Sequence, residues 1–200
     1  DGHERTVLRF SGKELLNVPA TAPAVGSLFV VFRADAAGVP GQRLVGWEDA
    51  SAGQHGLGIM TDSAGSVHAI LRRNGASGDV VVPAPTPAPE RLEFQIICIT
   101  WGLQGVVVHR NGQLVGSNQG IDSISSDPAI AELKIGGPGS GSSPRFQGDL
   151  AELRIYSVPL DNQARLRVEA ELTNRWRLVP SDQKKVDPLK DLYEELVTAQ

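Results

Sequence analysis

Every second residue from Leu92 to Cys98 is apolar: Leu92, Phe94, Ile96 and Cys98 alternate with Glu93, Gln95 and Ile97. Period-two spacing gathers those four side chains on one face of an extended strand, whereas a helix would scatter them. The spacing predicts a strand from Arg91 to Trp101. It pairs with Val106 to Arg110, and Asn111-Gly112 then turns the chain into Gln113-Leu114-Val115. Asn-Gly supplies the positive φ angles that a type I′ hairpin requires.

The same pattern recurs along the chain. Thr6 to Phe10 alternates and stops at Ser11-Gly12. Residues 25–33 are apolar on both faces, as in a strand covered from both sides. Residues 42–48 and 56–60 are shorter strands around the polar loop from Asp49 to His55. Ser66 to Arg73 carries Val67, Ala69 and Leu71 on one face. Residues 83–90 hold prolines at alternate positions, which removes the donors a ladder needs, and read as an extended surface connection. Residues 136–144, rich in Gly and Ser, read as a flexible loop, and Phe146 to Ser157 as the last long strand.

Helical spacing appears only near the end. Asp161 is a good N-cap, and Ala164, Val168, Leu172 and Trp176 form one stripe at spacing four. A second amphipathic helix is expected after Asp187-Pro188, with Leu189, Leu192, Tyr193, Leu196 and Val197 on one side. That segment is read either as a connection toward a following domain or as a further capping helix.

With 22 Gly and 13 Pro in 200 residues, the chain suits many short strands joined by tight turns. The net charge is −4 and no basic run exceeds Arg72-Arg73 or Lys184-Lys185, so no nucleic-acid partner is expected. No apolar run approaches the roughly 20 residues of a membrane span. Cys98 is the only cysteine, so no internal disulfide can form, and its apolar surroundings point to a buried structural thiol. The chain opens Asp-Gly-His without a signal peptide, which reads as a piece of a longer protein.

Three motifs, in order, resemble one family. Phe146-Gln147-Gly148-Asp149-Leu150-Ala151-Glu152-Leu153-Arg154-Ile155-Tyr156, then Pro159-Leu160-Asp161 and a helix ending at Trp176, is similar to the closing signature of laminin G-like domains. Val7 to Gly12 resembles their opening strand, and Val107-Val108-His109-Arg110-Asn111-Gly112 their hairpin, with His109 where an aromatic is usual. The resemblance implies an all-β, two-sheet antiparallel sandwich of the jelly-roll, concanavalin A-like kind, with a C-terminal capping helix. Residues 1–178 would form it, and 179–200 a linker with the second helix. Such domains bind glycans or proteins, or act as adhesive spacers, and relatives include glycosidases.

The residues themselves argue against catalysis. Sandwich glycosidases need carboxylates at period two on one strand, so that they face each other across the sugar. The nearest candidates are Glu48-Asp49, which are adjacent and so point to opposite faces if in a strand, and Asp149 with Glu152. Glu152 is expected to bond backbone in a structural role, on the face opposite Ala151, Leu153 and Ile155. The four histidines, His3, His55, His68 and His109, form no ligand-spaced pair. No cofactor is expected. The resemblance makes a calcium site at the sandwich rim possible, but Asp49, Asp62, Asp79 and Asp122 form no dense cluster.

The expected function is a non-catalytic binding module for a carbohydrate or protein ligand, working with other domains of a parent chain. The alternative is a structural spacer, and a glycosidase-like enzyme is a third reading. A glycan site needs an exposed aromatic platform with polar flanks. Trp47, with Glu48, Asp49, His55 and Arg72, is the expected ligand-binding group, against a plainer reading in which Trp47 packs at a strand end. Trp101 is expected to be half-buried and Trp176 to lie in the core.

Overall fold

The computed structural model describes residues 6–35, 41–48, 56–61, 66–73, 76–82, 93–120, 132–138 and 144–178. The prolines of 83–90, Asp62, Asp122 and the segment 179–200 with its expected second helix lie outside them.

The described residues form twelve strands and one helix. The strands are β1 (Leu8–Ser11), β2 (Leu16–Pro19), β3 (Gly26–Ala34), β4 (Gln42–Glu48), β5 (Gly56–Thr61), β6 (Val67–Arg73), β7 (Ala76–Val82), β8 (Gln95–Gly102), β9 (Gly105–Arg110), β10 (Gln113–Asn118), β11 (Glu132–Ile135) and β12 (Gln147–Tyr156). They form two six-stranded sheets, β1-β12-β3-β8-β9-β10 (sheet 1) and β2-β11-β4-β5-β6-β7 (sheet 2), and every strand pairing is antiparallel. The expected sandwich is therefore present. The β9–β10 turn has φ 49° at Asn111 and 87° at Gly112, as the hairpin chemistry requires.

Alternation along the strands fills the space between the sheets. Leu28, Val30 and Phe32 of β3 and Ile97, Ile99 and Trp101 of β8 point inward from sheet 1. Val45 and Trp47 of β4, Leu57 and Ile59 of β5, and Val67, Ala69 and Leu71 of β6 meet them from sheet 2. Phe146 packs edge-on against Phe10 and Phe32, with ring centroids 5.9 and 6.1 Å apart. Burying each such side chain contributes about 1.5–3 kcal/mol, so this layer carries most of the stability. Trp101 is wholly buried, not half-buried, and its indole N–H donates to Pro23 O at 3.1 Å.

Residues 25–33 are apolar on both faces because sheet 1 is covered twice. The helix α1 (Asn162–Trp176) lies on its outer face, where Phe29, Val31, Ile96 and Cys98 pack with Leu172, Val168 and Trp176. Asp161 caps the helix by accepting from Ala164 N at 2.7 Å. Arg177, at φ 50°, ends it in the left-handed conformation.

A bulge in β12 corrects one expectation. Leu150 pairs with Phe32 but Glu152 with Val31, so Ala151 is an extra residue. The slip brings Glu152 to the helix side along with Ala151, while Leu153 packs toward the inter-sheet core. Glu152 also bonds side chains rather than backbone. It accepts from Arg154 Nε and Trp176 Nε1, both at 2.7 Å, and from Arg175 Nη1 at 3.4 Å. Its role is structural: it moors the last turn of α1.

Candidate functional site

Sheet 1 is closed on its outer face by α1, whereas none of the described helix lies on the outer face of sheet 2. The middle of that outer face is glycine, and Gly46, Gly58 and Arg43 are all buried. Gly46 of β4 pairs with Gly58 of β5, and Glu48 with Gly56. With no Cβ on these positions the backbone itself forms the floor, and the side chain of Arg43 lies along it. Its guanidinium nitrogen Nη1 is 3.6 and 3.5 Å from where Cβ atoms of Gly46 and Gly58 would stand. Arg43 Nη2 also reaches the sulfur of Met60 at 3.7 Å.

The alternation that buries Val67, Ala69 and Leu71 sends His68 and Ile70 of β6 to this outer face. On the other side of β4, burial of Leu133 and Ile135 leaves Lys134 and Glu132 of β11 facing outward. Arg43 and Lys134 are the cations on the described part of this face, beside His68, Glu132 and an apolar patch of Met60 and Ile70. A flat, partly apolar floor with hydrogen-bonding cations at its sides suits a ring-shaped polar ligand carrying a negative group.

The sequence-predicted group is only partly brought together. Trp47 is not a platform: it is 1% exposed, shares the inward face with Val45, and donates its indole N–H to Ala20 O at 2.7 Å. Glu48 and Arg72 do come into one cross-strand row, each in register with Gly56 between them. Asp49 and His55 lie outside the described residues, in the connection from β4 to β5. Of the expected loop at 136–144, Gly136, Gly137 and Pro138 are buried, and Gly136 N donates to Leu44 O at 2.8 Å. Arg43, His68 and Lys134 were not in the expected group. The signal that finds them is the pair of glycines at Gly46 and Gly58, each amid strand residues with side chains.

Asp35, Asp149, Glu152, Glu169 and Glu171 are tied into ion pairs. Asp149 accepts from Arg33 Nε at 3.0 Å and Arg9 Nη1 at 3.4 Å, and Arg9 also grips Asp35 at 2.6 Å. Among the described residues no group of three or more His, Cys, Asp and Glu side chains could hold a metal ion. None of the described helix is long and apolar enough to cross a membrane. Burial pushes the Cys98 thiol up to about 12, with the nearby Glu169 charge adding to the effect, so it is not a nucleophile.

Comparison with known proteins agrees with this architecture. The CBM40 of Ruminococcus gnavus IT-sialidase, in complex with alpha2,3 sialyllactose, superposes with a TM-score of 0.67 at 15% identity, over 82% of this chain and 97% of that one. The NanB sialidase of Streptococcus pneumoniae gives a TM-score of 0.66 at 13% identity, over 82% of this chain but only 27% of the sialidase. A heptameric SAP-like pentraxin from Limulus polyphemus gives 0.55 at 20% identity, over 77% of this chain and 76% of the pentraxin. At these identities the likeness is one of fold. No curated protein matches the sequence. A family model, Laminin_G_3, matches residues 26–164, from the first residue of β3 into the first turn of α1, and on that match the chain belongs to the concanavalin A-like lectin/glucanases superfamily.

Proposed function

We propose that the domain is a non-catalytic carbohydrate-binding module, and that it takes an anionic, sialylated glycan on the outer face of sheet 2. The observation that carries the reading is the Gly46–Gly58 floor with Arg43 laid along it, on the one broad sheet face that α1 does not cover. A glycan ring is flat on one side and needs close approach to a rigid surface, which glycines permit. Arg43, His68 and Lys134 provide donors for its hydroxyl and carboxylate oxygens. The CBM40 likeness supports the same reading, since that module was solved with a sialylated sugar. The non-catalytic reading rests on the carboxylates being placed at strand positions on the face and not at period two along one strand. A module of this kind acts where glycans are displayed, which favours an exported, multidomain parent protein over the spacer reading.

The test is an amide NMR titration with 3′-sialyllactose and, separately, lactose, up to roughly millimolar sugar, as suits a weak single module. The amides of Gly46, Gly58 and His68 should shift with the sialylated sugar and much less with lactose. Lys134→Ala should weaken the effect. Shifts centred on β3 and β8, or none with either sugar, would sink the proposal.

A further inference from the structure

Beneath α1 the packing is not wholly apolar. Arg165 and Glu169, one turn apart, are 6% and 4% exposed and form an ion pair. Arg165 also donates to Asn162 Oδ1 at 2.7 Å and to Gly112 O at 3.4 Å, so the pair sits over the β9–β10 turn. His109 of β9 is on the same layer: it is in register with Cys98 of β8 and Leu114 of β10, and its Nδ1 is buried without a hydrogen-bond partner. Glu169 Oε1 is likewise buried and unpartnered. The titratable or charged groups facing His109 are therefore Cys98 from β8 and Arg165 and Glu169 from α1, and β10 presents only Leu114. Arg110, its neighbour along β9, alternates to the other side of the sheet.

We propose that this layer is an acid-sensitive latch, in which a proton on His109 frees the first half of α1 while the sandwich stays folded. A protonated imidazole would carry a second N–H donor into a site where Nδ1 meets no acceptor. It would also set a cation beside the buried Arg165. Relief requires the segment carrying Arg165 to move away. The second half of the helix has its own moorings, Leu172 in the apolar layer and Trp176 on Glu152, and neither involves His109. The release is thus confined to the turns around Arg165 and Glu169.

The direction of the pH effect follows from the burial. Desolvation, helped by Arg165, lowers His109 from 6.5 to about 4. A depressed histidine contributes its full stabilisation above about 6.5 and loses it as the pH falls toward 4. Glu169 works the other way: burial raises it, so its protonation favours the docked helix. A variant at His109 separates the two.

The experiment is hydrogen exchange of the whole chain at pH 7 and pH 5, expressed as protection factors, for the native protein and His109→Gln. Native protection over Arg165 to Glu169 should fall between the two pH values, by up to about twentyfold from the shift at His109 and by less where Glu169 offsets it. Protection in β3, β8 and Leu172 to Trp176 should hold. His109→Gln should show no such fall. An equal fall in the variant, or an even loss across β3 and β8, overturns the latch. Should His109→Gln fail to fold, NMR titration of His109 in the native protein decides. A midpoint near 4 with α1 amides moving in step supports the latch, and a midpoint above 6 overturns it.

Discussion

The indole N–H of Trp176 donates a 2.7 Å hydrogen bond to Glu152 Oε2, tying the last turn of the helix to the strand after the β12 bulge. The other oxygen of the same carboxylate accepts from Arg154 and Arg175, and both arginines also hold Glu171 on the helix. Removing Glu152 would strand a buried N–H and leave two cations short of a partner. Glu152→Ala should destabilise the domain by about 1–3 kcal/mol, and Glu152→Gln, which keeps the acceptor for Trp176, by less. Urea unfolding followed by tryptophan fluorescence measures both. Equal losses would mean that the hydrogen bond to Trp176 is not the anchor.

Asn111 does two things in the β9–β10 hairpin. It adopts φ 49°, and its Oδ1 accepts from Ile96 N at 2.8 Å. Alanine loses the side-chain bond and tolerates the left-handed conformation poorly. Asn111→Ala should cost about 1–2 kcal/mol, and Asn111→Gly less, since glycine restores the backbone freedom. Thermal melts rank the two, and the opposite order would refute the backbone argument.

Gly46 and Gly58 should separate fold from function. A Cβ on Gly46 would stand 2.7 Å from the backbone oxygen of Leu57, which cannot yield without distorting the sheet. On Gly58 the nearest atoms it would meet belong to the Arg43 guanidinium, at 3.5 Å. Gly46→Ala should therefore lower the melting temperature clearly. Gly58→Ala should leave it nearly unchanged, yet weaken sialyllactose binding by lifting the ligand off the floor. Unaltered binding in a folded Gly58→Ala protein would move the site elsewhere.

Cys98 is fully buried, and its thiol is pushed up to about 12. At pH 8 a thiol-specific reagent should leave the native protein unlabelled over hours and label it completely in guanidinium. Fast labelling of the folded protein would show that the layer beneath α1 opens far more readily than its packing implies.

The parts of the fold legible in the sequence are those where a local rule and the tertiary structure agree. Leu71 and Ile96 follow period two, Asn111-Gly112 specifies its turn, and Asp161 specifies its cap. The edge strand β2 carried no pattern, because its four residues are all exposed and select no face. Glu152 was placed on the wrong face because a bulge breaks the period without marking itself in the residues around it. Trp47 was chosen for its polar neighbours, although its spacing from Val45 already set it on the inward face. The outer face of sheet 2 was harder to see, since its main feature is the side chains missing at Gly46 and Gly58, and Arg43 joins them only when β4 and β5 pair. The Arg165–Glu169 pair was hidden by the apolar stripe beside it, which is real but shares the buried side of the helix with two charges.

A sandwich with α1 on one sheet and none of the described helix on the other has a front and a back. Exposed positions such as Arg167 and Ala170 lie on the back, across the full thickness of both sheets from Gly58. A surface, dye or fusion partner attached there would hold every molecule with sheet 2 outward. The domain then becomes an oriented sensor layer, in which all attached copies present the same face to a glycan and none is silenced by its own tether.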